Sequence, residues 1–212
     1  FVYREARGRH AGHSFPEIGI HRARLHRVLL DLARERLGPD AIRTGMRCRG
    51  YSQQGDSVSL EFTRPDGATE RVVADIAIAC DGVNSAIRAQ MHPSDRLCFG
   101  GINTWRGVSV HAPILSGKTY LRIGSIETGK MVIYPIVDNV DGQDKQLINW
   151  MAEIEAPSMG MNDWNAPGRL DDFYDIYKGW KFDWLDAAAL LRDAQRSEEH
   201  TSELQSLRHL VC

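Results

Sequence analysis

The chain has 212 residues, 42% hydrophobic and 25% charged, with a formal net charge of -2 and a pI near 6.5. This is a globular composition with material for one or two domains and a buried core, and without the basic excess that binding a phosphate backbone demands. No apolar run approaches the roughly 20 residues that span a bilayer, and Phe1-Val2-Tyr3-Arg4-Glu5 carries no basic-then-apolar leader. Neither nucleic acid nor a membrane is an expected partner, and a cytoplasmic location is the expectation.

The first element is a helix over residues 20–37. Leu25, Val28, Leu29, Leu32 and Ala33 recur at three- and four-residue steps, the arginines lie mostly elsewhere around the wheel, and Gly38-Pro39 ends it. Strands follow. Residues 46–52 form one, Gln54-Gly55-Asp56 is a turn, and Val58, Leu60 and Phe62 alternate with polar neighbours as in a half-buried strand. Arg64-Pro65-Asp66-Gly67 is a second turn. Val72-Val73 then leads into Ile76-Ala77-Ile78-Ala79-Cys80, which reads as a strand buried on both faces. It runs into Asp81-Gly82 and a short helix over 86–91, with Asn84 or Ser85 as its cap.

Beyond His92-Pro93 the pattern changes. Residues 103–110, 118–123, 130–136 and 146–154 read as longer strands of an antiparallel sheet, followed over 163–191 by aromatic-rich helices that Asp171 or Asp172, and Asp183, could cap. Cys48, Cys80, Cys98 and Cys212 form no C-x-x-C pair and read as reduced, partly buried thiols. His10 and His13 are close together but lack further ligands at metal spacing, so no metal is expected. The segment R-S-E-E-H-T-S-E-L-Q-S, starting at Arg196, resembles the translation of a sequencing-library adapter. Residues 196–212 are therefore set aside from functional reasoning as a translation artefact.

The strongest chemical signal is A-D-I-A-I-A-C-D-G-V-N-S-A-I-R, ending at Arg88. A strand there delivers Asp81 to the carboxyl edge of a sheet, where ligands of open α/β folds bind, and Gly82 lets the backbone turn closely. By spacing alone, Asp81-Gly82 reads first as a plain strand-to-helix turn. The unit resembles the Asp-Gly motif of the class A flavoprotein monooxygenases, built on the p-hydroxybenzoate hydroxylase fold, with Asp81, Gly82, Ser85 and Arg88 matching. Ala79 and Cys80 stand where Gly and Ala are usual in that family. Upstream, I-H-R-A-R-L-H-R-V-L-L is similar to the family's H-R-x-x-L-x-x-x-L through His21, Arg22, Leu25 and Leu29. Downstream, T-W-R-G-V resembles the first strand of the family's substrate-domain sheet, and V-I-Y-P-I, I-N-W-M-A-E and D-W-N-A-P-G-R-L-D-D-F resemble the branch related to phenazine-modifying monooxygenases.

The resemblance implies an α/β fold, α+β overall: part of a Rossmann-like FAD-binding domain over 1–95 and a mostly antiparallel substrate-binding domain over 96–195. It implies cofactor contacts from Arg22, Asp81, Gly82 and the backbone of Cys48, and a substrate pocket lined by Trp105 and Tyr134. For those two rings a packed core position is the alternative. The implied activity is hydroxylation of a small aromatic substrate, with FAD as cofactor, NAD(P)H as reductant and dioxygen as oxidant through a flavin hydroperoxide. No residue is assigned a catalytic acid–base role. A halogenase or reductase of the same fold and a non-catalytic binding module are the alternatives. The halogenase W-x-W-x-I-P signature is not found, nor is a hydrolase G-x-S-x-G. The family's G-x-G-x-x-G and G-D-A-A-H-x-x-x-P segments would lie before Phe1 and after Gln195. The expectation is thus of an internal fragment, inactive alone, that does not retain stoichiometric FAD.

Overall fold

The computed structural model describes residues 5–82, 84–96, 98–155, 169–194 and 205–211. They fall into two units, Arg27–Gly100 with Leu210–Cys212 forming one and Phe1–His26 with Gly101–His209 the other.

Helix α1 (Arg22–Leu37) begins where the ring nitrogen of His21 accepts the Ala23 N–H at 3.2 Å. It ends at Gly38, whose φ of 94° suits the residue after a helix. Its apolar stripe is present as the periodicity predicts, yet Leu25, Val28, Leu29 and Leu32 are all exposed, Leu29 by 54%.

Strands β1 (Arg47–Gln54), β2 (Ser57–Thr63) and β3 (Thr69–Ala74) make an antiparallel meander in sequence order. Both joining turns are those the sequence marks. Gly55 and Gly67 take positive φ, and the Asp66 carboxylate accepts the Ala68 N–H at 3.0 Å. A bulge displaces the register between Cys48 and Gly50. The outer edge of β1 is held by Gln90 of α2 (Ala86–Met91), whose amide accepts from Tyr51 N at 2.9 Å and donates to Tyr51 O at 2.6 Å. One side chain thereby replaces part of a neighbouring strand. A Cβ on Gly50 would stand 2.7 Å from the Gln90 oxygen, so a larger residue there would push the Gln90 amide aside.

Residues 76–80 depart from expectation. They form no strand, and Ile76 and Ile78 are 78% and 83% exposed. A doubly buried strand needs ladder partners and covering layers on both sides, and among the described residues nothing supplies them.

The other unit centres on β4 (Cys98–His111), β5 (Leu121–Ser125), β6 (Gly129–Val140) and β7 (Lys145–Glu155), paired antiparallel in the order β4-β7-β6-β5. Alternation assigns one face to Trp105, Met131, Ile133, Ile148, Trp150 and Ala152. After a short 3-10 turn at Leu170–Asp172, α3 (Tyr174–Tyr177), the hairpin β8 (Lys181–Phe182) and β9 (Leu185–Asp186), and α4 (Ala187–Arg192) cover that face. Phe173 stacks on Trp105 at 5.0 Å between ring centroids, and Tyr177 meets Trp180 edge-on at 5.0 Å. Gly107 lies directly opposite Trp150, where a Cβ would collide with the indole.

The C-terminal helix signals are redistributed. Asp172 accepts the Arg169 N–H at 3.2 Å from the third position of the 3-10 turn, and Phe173 precedes α3 without a side-chain cap, so neither Asp171 nor Asp172 takes the N-cap position expected. Asp186, not Asp183, caps α4, accepting Ala189 N–H at 2.9 Å, because residues 183–184 turn the β8–β9 hairpin. Residues 163–168, expected to open a helix, lie outside the described residues. At the far edge of the sheet, β10 (Gln205–Val211) neighbours β4. Pairing of that kind uses backbone groups that any extended segment offers, so it carries no information on the origin of residues 196–212.

Candidate functional site

Two regions carry the sequence-marked residues, one in each unit. In the first, Asp81 and Gly82 precede α2. The Asp81 carboxylate accepts the Ala86 N–H at 3.0 Å, and the Ser85 oxygen accepts Arg88 N–H at 2.9 Å. The Ser85 hydroxyl bond, foremost, holds the Asp81 carboxyl below its ordinary range, so the group is anionic at neutral pH. Arg88 is paired with Asp95 at 2.7 Å. Gly82 has φ 77°, and nothing stands within 4 Å of where its Cβ would be. The turn thus presents a fixed carboxylate beside backbone that a ligand can approach closely.

Cys48 is half-buried at the β1 bulge, its thiol 3.9 Å from the Gly50 carbonyl, whereas Cys80 is exposed rather than partly buried. Beside the bulge, Arg49, Tyr51, Ser59, Glu61, Arg71 and Gln90 line a shallow cleft of about 270 Å³. Asp81 is not among its walls.

The second region is the sheet face turned away from the helices. Register places Thr104 and Arg106 of β4, Asn149, Met151 and Glu153 of β7, and Lys130, Val132 and Tyr134 of β6 on it. Lys130 pairs with Glu153. Tyr134 stacks with Tyr120 at 5.4 Å, and the Arg122 guanidinium lies 5.4 Å from the Tyr120 ring centre. The N-terminal segment crosses here: a Cβ on Gly19 would be 2.6 Å from Pro135 O and 3.3 Å from the Tyr134 ring. Arg22, three residues on, is exposed and makes no hydrogen bond or ion pair among the described residues. Its charge is felt by Arg106, which burial, foremost, depresses below the usual arginine range while Tyr134 and Glu153 draw it upward. Burial likewise raises the Tyr134 phenol, against the pull of Arg106.

Trp105 is elsewhere. It is 7% exposed on the helix-covered face, against Phe173, and takes the packed-core alternative rather than a pocket. Sequence reasoning passed over Arg106 within the same T-W-R-G-V motif. Period two supplies the missing signal, because a core Trp105 forces Arg106 to the opposite face.

Residues 9–160 match the model of a family described as FAD binding domain. The chain belongs to this FAD binding domain family. It is 32% identical over 197 residues to phenazine 1,6-dicarboxylic acid hydroxylase PhzS of Lysobacter antibioticus, covering 90% of this chain and 48% of that protein. To 3-amino-4-hydroxybenzoate 2-monooxygenase PtnB3 of Streptomyces platensis it is 30% identical over 166 residues, covering 77% of this chain and 38% of that one. The fold is shared with 2,6-dihydroxypyridine-3-hydroxylase from Arthrobacter nicotinovorans, at TM-score 0.55 and 18% identity, over 76% of this chain and 44% of that one. The chain spans about half or less of the length of these curated relatives. Arg22, Cys48, Asp81 and Gly82 all lie within the family match.

The residues of the Asp-Gly turn fit this family's cofactor. A dinucleotide offers hydroxyls and ordered water to an anionic acceptor, and it needs open backbone where it passes. Arg22 offers a guanidinium without a protein anion, at a helix N-terminus whose dipole also favours negative charge. Among the described residues, no group of three or more His, Cys, Asp or Glu could hold a metal, and no helix is long and apolar enough to cross a membrane.

Proposed function

We propose that the whole protein is an FAD-dependent monooxygenase that hydroxylates a small aromatic ring, using NAD(P)H and dioxygen in the cytoplasm. The family match over residues 9–160 carries this reading. The named substrates of two relatives, both aromatic acids, support the aromatic substrate class. In this reading residues 1–95 contribute to FAD binding and 96–195 to substrate binding. Bound FAD supplies the redox chemistry with reductant and oxygen.

The chain's own residues bind and orient. The Arg22 guanidinium donates to the cofactor diphosphate. Asp81 stays ionised and accepts from cofactor hydroxyls or diphosphate-bound water, while Gly82 leaves room for close approach. The Cys48 backbone at the β1 bulge lies toward the adenine. Tyr134, on the sheet face away from the packed core, borders the substrate.

The test uses the full-length protein. Purified enzyme is expected to keep FAD through gel filtration and to incorporate oxygen from labelled dioxygen into an aromatic acid. Arg22→Gln and Asp81→Asn should each weaken FAD binding about tenfold or more, as expected for loss of one charge-assisted hydrogen bond. Wild-type protein that elutes colourless, or two variants that hold FAD as tightly as wild type, would refute the assignment.

A further inference from the structure

The sheet face that carries Tyr134 also holds polar groups that the described residues leave unanswered. Thr104 Oγ1 and Arg106 Nε are both shut away from solvent without a hydrogen-bond partner. They stand two residues apart on the same face of β4. Buried polar groups of this kind are few in native structures and ask for an explanation. Arg106 also carries charge. Glu153, the carboxylate nearest to it in electrostatic terms, is already held by Lys130, and Arg22 adds a second positive charge. The face therefore has an excess of guanidinium over carboxylate.

We propose that Arg106 and Tyr134 form a subsite for the carboxylate of an aromatic acid, with the stacked Tyr120 and Tyr134 rings flanking the ligand's ring. The proposal rests on the functional reading above and narrows its substrate class. A guanidinium fork matches the two oxygens of a carboxylate, and the Tyr134 phenol, which burial keeps protonated, is a further donor. The tyrosine pair, 5.4 Å between centroids at 23°, offers an aromatic wall suited to a flat ring. A phosphate would be the other anion. Phosphate sites draw on convergent backbone N–H groups, whereas here Tyr134 sits in a paired strand and is followed by Pro135, which has no N–H. Carboxylate is the better match.

The experiment titrates the 212-residue chain with 2-naphthoate and with 2-naphthamide by calorimetry. The acid should bind about tenfold or more tightly than the amide, because only the acid offers an anion to the guanidinium. Arg106→Gln should abolish that preference. Arg106→Lys, which keeps the charge and loses the fork, should retain part of it, and Tyr134→Phe should reduce it several-fold. Circular dichroism checks folding, and the lysine and phenylalanine variants carry the test if the glutamine variant unfolds. Equal affinities, no binding of either probe, or a preference that survives the Arg106 changes would overturn the proposal. So would displacement of naphthoate by inorganic pyrophosphate in an Arg106-dependent manner, since the anion recognised would then be a nucleotide phosphate. FAD retention by the full-length protein reads the functional assignment separately. Acid preference without flavin binding sinks that assignment alone, and flavin binding without acid preference sinks the subsite alone.

Discussion

Ser109 shows how much a single side chain can carry in this core. Its hydroxyl accepts the Trp150 indole N–H at 3.0 Å and donates to the Leu190 carbonyl at 2.7 Å, tying two strands to α4 at a fully buried position. Ser109→Ala removes both partners at once and strands an indole N–H in an apolar layer. The expected loss is about 1–3 kcal/mol of stability, read as a lowered denaturant midpoint with unchanged slope. A midpoint like that of wild type would mean that water or a shifted neighbour replaces the hydroxyl. The same scale separates Trp105 from Arg106. They are adjacent in sequence, yet one ring joins the core while its neighbour's charge faces the other way, a consequence of strand pleating alone.

Among the elements, α2 and α4 are short helices whose first turns depend on carboxylates. The Ala189 N–H bond, foremost, lowers the Asp186 pKa, and the Ser85 hydroxyl lowers that of Asp81. A lowered carboxylate pKa stabilises the fold above the unfolded-state value, and the contribution disappears as pH falls through the folded-state value. Both helix starts should therefore hold through the ordinary carboxylate range and fray only below it. In an NMR pH titration the Ala86 and Ala189 amide shifts should move with midpoints below that of an unstructured aspartate. Midpoints at or above that value would remove the capping role. Helix α1 is the contrary case. Its periodicity and its Gly38-Pro39 stop are legible, but the apolar stripe finds no cover among the described residues. Periodicity reports which face wants burial and is silent on what buries it.

Across the whole molecule, burial is unequally divided. Every buried side chain among the described residues lies between Asn103 and Leu191, and none lies in Arg27–Gly100. Protection against hydrogen exchange follows buried, cooperative packing. Amides of β6, β7 and α4 should therefore exchange slowest, while β1, β2 and β3 should exchange well before them. Equal protection in the two sheets would show that the smaller meander is stabilised by something other than its own packing. The exposed Ile76 and Ile78 belong to the same pattern. A run of alternating Ala and Ile has strand character in sequence, but a strand exists only where another supplies its hydrogen bonds.

The sequence by itself determined the local and covalent parts of this protein. These are the extent of α1, the meander and its two turns, the four long antiparallel strands, the Ser85 cap and the Asp-Gly motif that marks the family. Each rests on short-range chemistry: side-chain period, turn dihedrals, or a carboxylate near free N–H groups. Only the tertiary structure decided which side of each strand meets the helices, and with it that Trp105 is core and Arg106 faces away. It also decided that residues 76–80 stand unpaired and that Asp186 rather than Asp183 caps α4. Those outcomes depend on partners distant in the chain, and a linear pattern records a residue's preference for burial or pairing without recording whether a partner arrives.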